Sequence, residues 1–170
     1  MAKICDNTSV AMIVKDSEGR ISMIERKIYN PGFALPAGHQ DGDSPEDAAR
    51  KELSEEVGLE AGKMRVLFAR DLPNPCKREG GGHHFWTVFE IESWSGEVRT
   101  SEEEVKEYLW ADEAAIKSFA KKLENFMAEK NLSFDNLPDL VRATNEDEDW
   151  KKNPGLEPPM YIIFKELGII

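Results

Sequence analysis

The sequence has little with which to staple itself, cross a membrane or grip a nucleic-acid strand. It holds two cysteines, Cys5 and Cys76, which match neither a zinc spacing nor a disulfide framework. Both read as reduced thiols. No apolar run approaches the ~20 residues of a membrane span. The N-terminus has no basic segment followed by a long apolar one, so no signal peptide is evident and the expected location is cytoplasmic. Positive charge is scarce: 22 Lys and Arg stand against 33 Asp and Glu, for a formal net charge of −11. Polymeric nucleic acid needs a basic footprint, so neither DNA nor RNA is an expected partner. A small nucleotide stays open, because a bound metal inverts the local field. The sequence contains no G-x-S-x-G, H-E-x-x-H or G-x-x-x-x-G-K-[ST] motif. Asp41-Gly42-Asp43 hints at calcium, but the twelve-residue EF-hand pattern is missing. There are no internal repeats and no linker. The 170 residues suit one domain, 1–170, with a normal core.

What the chain does have is concentrated between Gly38 and Leu59, GHQDGDSPEDAARKELSEEVGL. Ser44 is a good N-cap, and Pro45 suits the first helical position. Asp47 stands where a capping box wants an acid. Gly58 supplies a left-handed stop. At about 100° per residue, Ala49, Leu53 and Val57 form one apolar stripe. Glu52, Glu55 and Glu56 lie on its flank. Three carboxylates at i, i+3 and i+4 repel one another. A hard cation turns that repulsion into attraction, and Mg²⁺ is typically shared between carboxylates and substrate phosphates. A solvated acidic face is the plain alternative.

The segment resembles the Nudix box, G-x5-E-x7-R-E-U-x-E-E-x-G-U with U aliphatic. Gly38 matches the first glycine, and Glu52-Leu53-Ser54-Glu55-Glu56-Val57-Gly58-Leu59 matches the whole second half. Leu35-Pro36-Ala37-Gly38-His39 is similar to the approach common in that family, with Ala37 at a frequent glycine position. Two departures stand out. The turn is one residue short, so Asp43 replaces the first box glutamate, and Lys51 replaces the box arginine. The resemblance implies an α/β fold, a Nudix-type α/β/α sandwich with a mixed sheet. It implies a metal-dependent hydrolase, using Mg²⁺ or Mn²⁺, that cleaves a phosphoanhydride bond of a nucleoside diphosphate derivative: a nucleoside triphosphate, a nucleotide sugar or a dinucleoside polyphosphate. The alternative is a nucleotide-binding module of the same fold with little or no turnover. By the same resemblance, Gly38, Glu52, Glu55 and Glu56 hold the metal, with Glu52 and Glu56 foremost. Glu55, Glu56 and Glu104 are the catalytic candidates. Glu104 stands six residues before Trp110, where relatives carry an acid, and Glu103 is its near alternative. Asp43 and Lys51 are expected to pair across the shortened turn. The alternative is a solvated Lys51 with Arg50 facing the turn.

Elsewhere the chain reads as follows. Residues 7–15 and 20–26 are strands joined by a turn at Asp16–Gly19, together a hairpin. Asn30-Pro31-Gly32 marks a loop. Residues 34–37, 64–71, 85–91 and 97–100 are extended, and 108–110 is the last strand. Residues 72–82 form a long loop. From Asp112 to Lys130 the period is helical, with Ile116, Phe119, Leu123, Phe126 and Met127 in one stripe. Tyr161 to Ile170 is apolar enough that it must dock, as a short helix or strand, so 112–170 is expected to pack as a helix and tail on the domain. For substrate, Arg26 at a strand end is a phosphate contact by resemblance. Tyr29, Phe33 and His84 are polar or stacking surfaces for base or sugar. Phe85 and Trp86 point to opposite faces, so at least one is core. His83-His84 lacks another His or Cys at metal-ligand spacing. The expected assembly is a monomer or homodimer with no membrane partner.

Overall fold

Val10, Ala11, Met12, Ile13 and Val14 are all buried, because the strand they form is covered on both faces. This near-continuous apolar run is what a central strand requires. In the computed structural model, which describes residues 3–170, that strand is β1 (Thr8–Val14). It is followed by β2 (Ile21–Arg26), β3 (Phe33–Ala34), β4 (Ala37–His39), α1 (Pro45–Val57), β5 (Glu60–Ala61), β6 (Met64–Leu72), β7 (His84–Ile91), β8 (Trp94–Ser95), β9 (Val105–Ala111) and α2 (Glu113–Lys130). A 3-10 turn (Phe134–Asn136), α3 (Leu137–Glu146), α4 (Glu148–Lys152) and α5 (Pro158–Glu166) complete it.

The sheet ordered β4-β1-β7-β6 is mixed. β1 runs parallel to β7 and antiparallel to β4, and β6 is antiparallel to β7. A second, antiparallel sheet is ordered β3-β2-β9, and β5 pairs with β8. Alternation assigns the two faces. Val10, Met12, Val14, Ile24, Phe89 and Ile91 pack with Ala49, Leu53 and Val57 of α1. Ala11, Ile13, Ile21, Met23, Trp86 and Val88 pack with α2, α3 and α5. The layers are those of an α/β/α sandwich. Trp86 is buried while Phe85 is 45% exposed.

The expected hairpin at residues 7–26 does not extend. The turn forms, with Asp16 accepting the Glu18 and Arg20 backbone N–H groups at 2.9 Å each. After one bridge, Lys15 to Ile21, the strands enter different sheets. Both edges of β1 are already taken, by β4 and β7. The expected extended piece at 97–100 is irregular, and the last strand starts earlier, at Val105.

The C-terminal segment is helical and shares the core with α2. Leu140, Val141, Ile163 and Phe164 are fully buried there. The segment is also bolted to β3: the Phe33 N–H donates to the Gly155 carbonyl at 2.8 Å, and the Glu157 N–H to the Phe33 carbonyl at 3.0 Å. A side chain at Gly155 would overlap the Phe119 carbonyl, so glycine permits this close approach. Glu157 is thereby delivered to the end of β2. No helix of the described residues is long and apolar enough to cross a membrane.

Candidate active site

Helix α1 forms for the reasons its sequence gives. Ser44 Oγ accepts the Asp47 N–H at 3.1 Å, and Gly58 stops the helix at φ 76° with its N–H on the Ser54 carbonyl at 3.0 Å. Its apolar stripe seats on the sheet, which fixes the direction of Glu52 and Glu56. These face a cavity of about 390 Å³ lined also by Arg26, Tyr29, Gly38, Lys77, Arg78 and Glu104.

Glu56 is buried and held at both oxygens. Arg26 Nη1 donates to Oε1 at 3.3 Å, and the Ala37 N–H donates to Oε2 at 2.8 Å. Arg26 also donates from Nε to Glu157 at 3.0 Å and from Nη2 to the Ala37 carbonyl at 3.2 Å. A single guanidinium therefore lies between two buried carboxylates. Glu52 stands beside Gly38, where a side chain would overlap its carboxylate. Glu104 reaches the same cavity from the turn before β9, a turn held by the Lys27 N–H on the Glu104 carbonyl at 2.9 Å.

Burial, reinforced by the like charges of Glu55 and Glu104, pushes the Glu52 carboxyl up to about 7. Burial pushes Glu56 up to about 8, against the opposing pull of Arg26 and the Ala37 N–H. Burial also raises Glu157. Burial opposes the Arg26 charge, yet Glu157 and Glu56 outweigh it and hold the guanidinium protonated. Glu157, Glu56 and Glu52 thus act on one arginine, and Glu104 lines the same cavity. This oxygen-rich acidic excess fits a hard divalent cation, which prefers carboxylate and carbonyl donors.

The other expected residues are placed as follows. Glu55 is exposed on the outer flank of α1 and outside the cavity wall. Tyr29 is half-buried at the cavity, its hydroxyl donating to the Pro75 carbonyl at 3.3 Å. Phe33 is a correction: it is core, stacked on Phe119 with ring centroids 3.9 Å apart, because β3 turns it toward α2. His84 is also no open stacking surface. It is buried, with its ring nitrogens occupied by Asn74 and Cys5. Among the described residues no ion pair joins Asp43 to Lys51, and both are exposed. Arg50 does not face the turn either, since it donates to the Ala61 carbonyl. The turn is held instead by Asp41, which binds Arg78 and, at 2.9 Å, Lys3 Nζ. The hydrogen bond from Arg78 holds the Asp41 carboxyl down at about 2. Asp41 at φ 54° and Gly42 at φ 91° make this short turn possible.

Glu157, Lys77, Arg78 and the exposed Ile28 at the cavity mouth escaped the sequence reading. The only local signal for Glu157 was an acid before Pro158-Pro159, which marks a helix start and says nothing of burial.

Comparison with known proteins agrees with this geometry. The NUDIX domain profile matches residues 6–130. An RNA pyrophosphohydrolase of Pseudomonas paraeruginosa is 38% identical over 60 residues, covering 35% of this chain and 37% of that protein. The likeness to such curated relatives therefore spans little more than a third of their length. Among solved structures, a MutT NUDIX hydrolase from Burkholderia pseudomallei aligns at TM-score 0.54 and 23% identity, over 64% of this chain and 84% of that one. The NUDIX domain of Shewanella oneidensis NrtR, complexed with ADP ribose, aligns at 0.53 and 12%, over 69% and 79%. At these identities the structures establish a common fold. The profile spans well over half of the chain, which accordingly belongs to the NUDIX domain family.

Proposed function

We propose that the protein is a pyrophosphohydrolase that cleaves a phosphoanhydride bond of a small nucleoside diphosphate derivative with Mg²⁺ or Mn²⁺. The observation that carries this reading is the pairing of Glu52, beside a side-chain-free Gly38, with Glu56, fixed by Arg26 and the Ala37 N–H, in one cavity with Glu104. Glu52, Glu56 and the Gly38 carbonyl would hold the metal, with Glu55 and Glu104 adding negative charge nearby. A divalent cation there supplies charge neutralisation on the phosphates and a more acidic water.

The chain's own residues supply the rest. Arg26 and the Ala37 N–H hold Glu56 in one orientation, so its position costs no reorganisation during reaction. Glu104, which lines the cavity, is favoured as the base over Glu55, which does not. Its carboxylate takes a proton from water as the water oxygen bonds to phosphorus. The anhydride P–O bond breaks, and its electron pair leaves on the departing phosphate. Lys77 and Arg78 offer positive charge to the phosphates. Tyr29 and Ile28 offer an apolar wall to base or sugar. The cavity of about 390 Å³ suits a nucleotide rather than a polymer, and the formal charge of −11 points the same way. Thiols at Cys5 and Cys76 suit a cytoplasmic, reducing setting.

The test is a panel of nucleoside triphosphates, nucleotide sugars and dinucleoside polyphosphates. Product release with Mg²⁺ is measured beside equilibrium binding of the same compounds. Turnover of at least one class is expected. Tight binding throughout with no product from any would favour the binding module.

A further inference from the structure

Four side chains unused by the proposed hydrolysis converge at the cavity wall, which His39 and Cys76 themselves line: Cys5 ahead of β1, His39 at the end of β4, Cys76 in the loop after β6, and His84 at the start of β7. Their ligand atoms all lie within 4.8 Å of one another. Cys5 Sγ is 3.2 Å from His84 Nε2 and 3.6 Å from Cys76 Sγ. We propose that Cys5, His39, Cys76 and His84 form a structural Zn²⁺ site that fixes the 72–82 loop against the strand carrying Gly38.

Zinc bound tetrahedrally by two sulfurs at about 2.3 Å and two nitrogens at about 2.0 Å has ligand-to-ligand edges of roughly 3.3–3.8 Å. The two measured separations lie close to such edges. Both sulfurs are prepared alike. The Asn7 N–H points at Cys5 Sγ and the Arg78 N–H at Cys76 Sγ, each two residues on and each at 3.3 Å. Asn7 reaches this position at φ 56°, a conformation asparagine tolerates. Such N–H donors stabilise thiolates.

The imidazoles are prepared as well. His84 Nδ1 donates to the Asn74 carbonyl at 2.8 Å, which leaves the Nε2 lone pair facing Cys5. Asn74 is itself fixed, its Oδ1 accepting from Trp86 Nε1 at 2.9 Å. A carbonyl behind the ring is the usual way a metal-binding histidine is oriented. His39 Nε2 is buried and has no hydrogen-bond partner. A disulfide between Cys5 and Cys76 would leave that nitrogen unused, whereas a zinc ion would occupy it.

On binding, two S–H bonds break, two Zn–S bonds form and two protons leave to solvent. Both rings enter through neutral nitrogen lone pairs. Two thiolates neutralise Zn²⁺, so the half-buried site carries no net charge. Sulfur and imidazole select zinc, while the carboxylates of α1 select a hard cation, so one fold sorts two metals. His39 follows Gly38 directly, and Cys76 precedes the cavity residues Lys77 and Arg78. The zinc would therefore hold the cavity wall to the strand beside Glu52.

The test measures metal content, not activity. The full chain is purified in reducing, chelator-free buffer and analysed for zinc. About one equivalent per chain is expected, retained in Glu52→Gln and lost in Cys76→Ser and His84→Ala. Co²⁺ added to zinc-stripped protein should show tetrahedral d–d bands and a thiolate charge-transfer band, so the result does not depend on a variant's folding. Folded wild-type protein that holds no zinc and gives no such cobalt spectrum would overturn the proposal. So would stoichiometric zinc in Cys76→Ser, or an intact mass two hydrogens low with no metal.

Discussion

Glu157 is the nearest acid to Arg26, at 3.0 Å from its Nε, although 131 residues separate them in the chain. Through Arg26 the C-terminal segment reaches Glu56 at 3.3 Å and so touches the box helix. The arginine side chain is 17% exposed, and the two carboxylates 3% and 2%. Removing the cation would leave two buried acids unpaired, whereas replacing Glu157 would leave a balanced pair.

The two substitutions should therefore differ. Arg26→Met is expected to cost stability on the scale of breaking a buried ion pair, about 3–5 kcal/mol. Glu157→Gln should cost far less, because burial already disfavours that charge and glutamine still accepts from Arg26. Urea unfolding of both variants checks this. Equal losses would mean that the arginine does not serve both acids.

Gly38→Ala should leave the fold standing and disturb the site. The atoms nearest the new methyl all belong to the end of the flexible Glu52 side chain, and β4 tolerates alanine in its extended backbone. Turnover should fall by about 10- to 100-fold, as expected when a ligand is displaced by its surroundings. A fully active alanine variant would remove Glu52 from the metal site.

The box turn offers a paired comparison. Double-mutant cycles on stability should give no coupling between Asp43 and Lys51, which do not meet. Asp41 and Arg78, whose side chains are only partly exposed, should show a measurable coupling of about 1 kcal/mol. Coupling at 43 and 51 alone would reverse this assignment.

Stability should also depend on pH in a stated direction. Glu52 and Glu56 are raised to about 7 and about 8, so the folded state holds more protons than the unfolded one. Without added divalent metal, stability should fall as pH rises from about 6.5 to 8.5, and Mg²⁺ should flatten the decline. Urea midpoints at the two ends decide this. An increase with pH would contradict the burial of these acids.

How much of this was legible depends on range. Helix α1 was readable because Ser44, Pro45 and Gly58 act locally, and β1 and β7 were readable as apolar runs. Helix α3 had the pattern Leu137, Leu140, Val141 and Thr144, but its polar neighbours and the acidic run after it masked the period. The parting of β1 from β2 follows from which strands claim the edges of β1, and no local signal records that. Arg26 was visible as a site residue but not as the centre of an ion triad, since Glu157 arrives from the far end. Cys5, His39, Cys76 and His84 fit no spacing because four separate elements bring them together.

The most direct test of the central claim is a Mg²⁺ titration of the best substrate from the panel, with wild type and Glu52→Gln side by side. Product formation should rise from background to saturation with Mg²⁺ in the wild type. The variant should be at least about 100-fold slower at saturation, the loss expected when charge stabilisation at phosphorus is removed, with its unfolding midpoint unchanged or higher. Metal-independent turnover, or a Glu52→Gln enzyme as fast as wild type, would show that the carboxylates facing Gly38 are not the site of the chemistry.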